Sequence, residues 1–217
     1  MTRFVDDQGR LDFAALAADR RSLDEHIAYV ERVSPASAPE LFPRRADVLA
    51  YHLNAYNALA MRGVIDAGIT EGFKGFLGRQ LFFRLRKVVV GGRRMSLSAY
   101  ENDVIRPLGE PRVHFALNCM ARSCPRLPQA AFSANELDAQ LEAAAREFVN
   151  DPRNVRVDAA AREVWLSSIF AFYTKDFAPD GKHASLIDYV NRYRDAPVNR
   201  EFAVRFIPYD WSLNRQP

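Results

Sequence analysis

From Leu11 to Val33, apolar residues recur at helical spacing: Phe13, Leu16, Leu23, Ile27 and Val30 form one stripe, and Arg20, Arg21, Asp24, Glu25 and Glu31 fall elsewhere. The spacing predicts one helix, ended by Ser34-Pro35, that forms an N-terminal helical arm over 11–33. A second helix is expected over Ala46–Ala67, stopped by Gly68. It is apolar nearly all round, with Val48, Leu49, Leu53, Leu59, Met61, Val64 and Ile65, and so belongs in the centre of the protein. Gly91-Gly92 between Lys87–Val90 and Arg93–Ser96 predicts a hairpin with a primed turn. A short helix from Leu97 to Arg106 should end at Pro107. Val113–Leu117 is a continuous apolar run and reads as a short buried strand, with Met120–Pro125 as the loop leaving it. Ser133–Glu136 has the form of a capping box opening a helix with Leu137, Leu141, Ala145 and Phe148 on one face. A second hairpin (155–157 and 164–166), helices over 169–177 and 185–193, and a last strand at 204–207 complete the pattern. Helices outnumber strands and the strands arrive in hairpins. The expected class is therefore α+β, a helix-rich single domain spanning 1–217 around a small, mostly antiparallel sheet.

Composition adds bounds. The 217 residues carry 30 basic and 27 acidic side chains, a net charge of +3, which argues against a dedicated nucleic-acid binder. No apolar run approaches the roughly 20 residues of a membrane helix. The first seven residues are polar and acidic, unlike a signal peptide. This leaves a cytoplasmic protein as given, or a periplasmic one if a leader has been removed. One local departure from charge balance stands out. Over 73–94, Phe76, Leu77, Leu81, Phe82 and Phe83 alternate with Arg79, Arg84, Arg86, Lys87, Arg93 and Arg94. Such interleaving can mark a membrane surface or a nucleic-acid contact, but more often a packed segment with a solvated basic rim.

The chemistry concentrates in one segment. His114 and both cysteines of the chain, Cys119 and Cys124, lie within eleven residues of each other, with Asn118, Arg122 and Ser123 among them. A cysteine becomes a nucleophile when a histidine, a cation or a helix N-terminus stabilises its thiolate. Strand alternation would point His114 and Cys119 to opposite faces, which favours Cys124, held extended by Pro125, as the nucleophile. The thiols also fit small buried hydrophobes, a disulfide across a short loop, or a metal site, although no recognised metal-ligand spacing is present. Neither a metal nor another cofactor is expected. Asn54 and Asn57 share one face of the central helix, where buried amides must be fully hydrogen-bonded. They could clamp a neighbouring loop, or orient a histidine or a ligand. Glu101 could pair with Arg106 or complete a triad with His114. His26 and His183 read as solvated, and Tyr209-Asp210-Trp211 as a C-terminal tie-down.

Several of these segments, in this order, resemble the DUF547 family, a domain of unknown function: the run from His114 to Cys119 closed by Arg122–Pro125, the Asn54–Ala58 helix motif, the blocks Gly91–Arg106 and Leu166–Phe177, and the ending Tyr209–Asn214. The ending is similar to that of bacterial members, which often look exported. The resemblance strengthens His114, Cys119, Cys124, Asn54, Asn57 and Glu101. Three positions depart from the family's pattern. Asn102 stands where a histidine is usual, Met120 where a small residue is usual, and His52 where tryptophan is usual. Two functions remain open, ahead of a redox role for the Cys119/Cys124 pair, whose spacing is not that of a thioredoxin-type motif. One is a cysteine-dependent hydrolase or acyltransferase, distantly papain-like or transglutaminase-like, using Cys124 (or Cys119), His114 and Glu101, with oxyanion donors from the Ala121–Cys124 backbone or an asparagine amide. The other is a non-catalytic module that binds a peptide or small acidic ligand through Asn54, Asn57, Arg122 and His114, its cysteines structural or disulfide-bonded.

Overall fold

The computed structural model describes residues 3–217; Met1 and Thr2, on which part of the leader reading rests, lie outside the described residues. The expected helix over 11–33 breaks in two. Helix α1 (Phe13–Ala18) is capped by Asp12 Oδ1, which accepts from Ala15 N, and α2 (Arg21–Arg32) restarts after Asp19-Arg20. Ile27 and Val30 of α2 are buried against the central helix α3 (Arg45–Asp66). At the start of α3, Asp47 Oδ2 accepts from Arg44 N. At its end, Gly68 takes a left-handed conformation (φ +61°) and Ile69 N reaches back to Val64 O, a glycine-terminated helix end. Almost every turn of α3 is buried, as its all-round apolar pattern requires.

A short helix α4 (Gly75–Gln80) runs on into a π-helical turn over 81–85. The hairpin β1 (Lys87–Val90) and β2 (Arg93–Ser96) follows, with Val90 opposite Arg93 and both turn glycines at positive φ. The hairpin tip serves a second purpose: Gly91 N and Gly92 N donate to Val30 O and Glu31 O, satisfying carbonyls at the open end of α2. Ser96 caps α5 (Leu97–Ala99), which continues as a π turn over Tyr100–Ile105 and a 3₁₀ turn over Arg106–Leu108.

The buried strand expected at Val113–Leu117 is not formed. Residues Pro111–Phe115 are a 3₁₀ helix, with Glu110 accepting from Arg112 N and Pro111 preset at its first position. An unbroken apolar run bounded by turns does not distinguish a strand from a short buried helix. With the strand gone, the opposite-face argument that favoured Cys124 over Cys119 also goes. The expected capping box is likewise absent: α6 (Leu137–Asn150) begins one turn later, and Ser133 N instead donates to Gln140 Oε1.

Strands β3 (Val155–Asp158) and β4 (Glu163–Ser167) pair antiparallel. Helices α7 (Ser168–Phe172), α8 (Thr174–Phe177) and α9 (His183–Asn191) intervene before β5 (Ala203–Ile207), which lies parallel to β4. The strands thus form two separate small sheets, and the class is α+β. The buried apolar residues fall into two cores. One surrounds α3; the other joins α6–α9 to the three-stranded sheet. The 3₁₀ turn at 111–115 bridges them, with Val113 in the first core and Phe115 in the second. His114 lies between the two.

Candidate functional site

The segment after this turn is held at every step. Asn57 clamps its entrance: Nδ2 donates to Ala116 O, and Oδ1 accepts from Asn118 N at 2.8 Å. Asn118 spans the loop, with Oδ1 accepting from Met120 N and Nδ2 donating to Pro125 O, both at 2.7 Å. The C-terminal segment runs alongside. Asn214 N donates to Met120 O, Arg122 N to Ser212 O, Ser123 N to Asp210 O, and Asp210 N returns a bond to Ser123 Oγ. Met120, buried, sits at φ +71°, a conformation unfavourable for a side-chain-bearing residue. Only glycine would relieve this strain, because the Cβ that every other residue carries causes it.

This scaffold sets the two thiols against each other. Cys119 Sγ and Cys124 Sγ are 2.7 Å apart, Cys119 N donates to Cys124 Sγ, and Tyr209 Oη lies 3.5 and 3.2 Å from the two sulfurs. Both cysteines are free. The Cys124 thiol hydrogen-bonds to Cys119 and, with the Tyr209 hydroxyl and a backbone N–H at Ala121, lowers the Cys119 thiol below its ordinary value against the opposing effect of burial. Burial, together with the neighbouring Cys119, pushes the Cys124 thiol well up. The two thiols titrate as a coupled pair, and the first proton leaves the pair more readily than the second.

A pocket of about 430 Å³ opens over these sulfurs. Its walls include Tyr56, Glu101, His114, Tyr173, Tyr209 and Trp211, with the α4 arm along one side. His114 is fully enclosed. Tyr173, at the kink between α7 and α8, stacks on its imidazole with ring centres 3.9 Å apart. The imidazole Nε2 lies 2.8 Å from Asp176 Oδ2. An ionised carboxylate only accepts, so Nε2 carries the proton and Nδ1 is the nitrogen free to take one. Asp176 is also gripped by both arms of Arg106, with Nε–Oδ2 and Nη2–Oδ1 each 2.7 Å. Burial alone would raise the Asp176 carboxyl, but the bonds from Arg106 and His114 outweigh it and hold the group well below the usual carboxylate range.

The sequence-predicted residues divide accordingly. Cys119, Cys124, His114 and Glu101 line one pocket. Glu101 neither pairs with Arg106 nor orients His114; Asp176 takes both partners, and Glu101 Oε2 accepts from Tyr56 Oη at 3.1 Å. Asn57 and Asn118 fix the thiol loop from behind, and Asn54 makes a two-way clamp on the backbone of Phe132. Asn54 and Asn57 line a different, apolar cavity of about 290 Å³ beside Leu23 and His26. Half-buried His26 is thus not simply solvated, whereas His183 is exposed. Arg122 and Ser123 border a third depression of about 230 Å³ on the far side of Cys124. No hydrogen bond links His114 to either sulfur. Tyr56, Tyr173 and Asp176 were not singled out by spacing or periodicity; only their places in the family-like blocks marked them, and Tyr209 was read only as part of a C-terminal tie-down. Among the described residues no cluster of histidine, cysteine and carboxylate groups is arranged to hold a metal ion, and no helix is long and apolar enough to cross a membrane.

Fold and pocket together define an α+β protein with a paired-thiol pocket at the seam of two cores. Residues 42–149 match the DUF547 family, described as a protein of unknown function, and the chain carries a DUF547 domain there. Comparison with curated proteins and with solved structures gives no match.

Proposed function

We propose that the pocket is a thiol active site that hydrolyses or transfers an acyl group. The observation that carries this reading is the contact of two thiols and Tyr209 Oη beneath a pocket lined by His114, whose imidazole is held from behind by Asp176. Cys119, rather than Cys124, is the nucleophile, with the Cys124 thiol and the Tyr209 hydroxyl as its donors. The Cys119 thiolate attacks the carbonyl carbon, forming a C–S bond as the carbonyl electron pair moves onto oxygen. Collapse expels the leaving group, and water or another acceptor then attacks the thioester carbonyl, taking the acyl group as the C–S bond breaks and the Cys119 thiolate is restored. His114, its Nε2 proton fixed on Asp176, offers Nδ1 for the proton transfers.

The oxyanion donors are narrower than the sequence expectation. The backbone N–H groups of Arg122, Ser123 and Cys124 are all bonded to carbonyls, and the amides of Asn54, Asn57 and Asn118 are spent on backbone. The backbone N–H of Ala121 and Tyr209 Oη are the donors that remain beside the sulfurs. Arg79 and Arg84 on one wall, with Phe76, Phe83, Phe172 and Trp211, favour an acyl substrate that is partly apolar and carries negative charge. A kinship with papain-like or transglutaminase-like enzymes belongs to the same proposal.

A second reading rests on a specific observation: the sulfurs touch each other and neither touches His114. The pocket would then be a binding site for a small acidic or peptide ligand, closed by a disulfide. Intact mass after brief iodoacetamide treatment separates the two. We expect one adduct within minutes at neutral pH, at Cys119, absent from Cys119→Ser. A protein isolated without reductant at a mass lower by two hydrogens, or one whose two thiols react only on unfolding, would sink the catalytic reading.

A further inference from the structure

We infer that the α4 arm and the adjacent hairpin dock on an anionic lipid surface, with the thiol pocket opening beside the contact. Between Gly72 and Tyr100 the chain has two lysines and five arginines and no carboxylate, in a protein whose net charge is only +3. Two of these cations are neutralised, Lys74 by Glu71 and Arg86 by Asp66. Among the described residues no carboxylate lies within ion-pairing distance of Arg79, Arg84, Lys87, Arg93 or Arg94. The cation of Arg79 rests instead on the Trp211 ring at 4.9 Å.

The same arm carries an apolar ridge. Phe76, Leu77, Leu81 and Leu85 are 66, 71, 56 and 63% exposed, while Phe82, between them, is buried and anchors the arm on the first core. Leu77, Leu81 and Leu85 follow at four-residue intervals, so they project from one side. A surface helix normally turns such residues inward; here anchoring is left to Phe73 and Phe82, and the leucines face out.

Charge decides the occupant. A second copy meeting this face about a twofold axis would set these unpaired cations against their equals, which disfavours self-association. Nucleic acid would use the cations but has no partner for three exposed leucines, since recognition there needs stacking rings. An anionic bilayer uses both. Leucines enter the acyl boundary, and lysines and arginines lie among the headgroups, each worth roughly fivefold in binding. Phe76, Arg79 and Arg84 also line the pocket, so docking brings its mouth to the lipid.

The inference is independent of the thiol chemistry and is tested without it. The reduced protein is sedimented with vesicles of phosphatidylcholine alone and with vesicles containing phosphatidylglycerol. We expect co-sedimentation with the anionic vesicles, at least tenfold tighter than with the neutral ones and weakened by salt. The triple variant L77S/L81S/L85S should lose most of that binding while keeping its melting temperature, because these side chains support no core. R93Q/R94Q, on the hairpin, should weaken binding at least tenfold without touching the leucines. Cys119→Ser should bind vesicles like the parent, which separates this inference from the active-site reading. Failure of the parent to sediment with anionic vesicles overturns the inference, as does undiminished binding by the triple variant. A dimer in light scattering that the triple variant converts to a monomer overturns it too, because the ridge would then be covered by a second copy.

Discussion

His52 shows what one buried side chain costs. It lies on α3 with its Nδ1 2.7 Å from Tyr100 Oη, and burial pushes its pKa down to about 4. An unfolded histidine titrates near 6.5. Between these values the unfolded chain binds a proton that the folded protein refuses. Stability is therefore full above about pH 6.5, declines as pH falls through that window, and levels off below about pH 4. A shift of this size corresponds to about 3 kcal/mol. Urea midpoints taken across this window should fall in the parent and stay much flatter in His52→Gln; equal slopes would show that His52 titrates normally in the fold. Only the family resemblance marked His52 in the sequence. Its environment depended on Tyr100, 48 positions away, which no local pattern encodes.

The elements divide by how local their causes are. The hairpin β1–β2 was legible because Gly91-Gly92 is a local signal. Helix α3 was legible because its pattern is long. The 3₁₀ turn at 111–115 was not, because two cores claim alternate residues of a five-residue run, and neither core is visible in the sequence. Even in the hairpin, one fact escaped the pattern: the two glycines are not equivalent. Gly91 has φ +55°, and a Cβ there would lie 2.0 Å from Ser34 Oγ, whereas a Cβ on Gly92, at φ +77°, meets nothing within 4 Å. Gly92→Ala should therefore cost only the left-handed strain, about 1 kcal/mol. Gly91→Ala adds a collision at the junction with α2, for a total of roughly 2–4 kcal/mol. Chemical denaturation of the two variants measures the difference directly. Equal losses would mean that the hairpin tip does not bear on the end of α2.

At the scale of the whole molecule, the pocket does not belong to any one stretch of chain. The family match spans residues 42–149, which hold both thiols, His114, Glu101 and the asparagine clamps. Asp176 and Tyr173, which fix His114, come from the second core, and Tyr209 and Trp211 come from the last ten residues. That ending is also a seam. Asn214 O and Gln216 N pair with Leu11, Asn214 N holds Met120 O, and Leu213 N donates to Glu71 O, so one short segment joins the N-terminal region, the arm and the thiol loop. The C-terminal tie-down was legible from Tyr209-Asp210-Trp211; its partners, up to some two hundred positions distant, were not. A fragment trimmed to 42–149 should therefore fail to melt cooperatively. A chain ending at Pro208 should retain helices but lose roughly 3–5 kcal/mol through the missing Trp211 and its neighbours. In both, Tyr209 no longer contacts the sulfurs and the loop is released from Ser212 and Asn214. The two thiols should then alkylate at similar rates instead of one leading the other. Circular dichroism melts and intact-mass alkylation on the three chain lengths test this together. A 42–149 fragment that melts cooperatively near the parent's temperature, with one thiol still reacting first, would place the whole site within the matched segment and reduce the second core to an accessory.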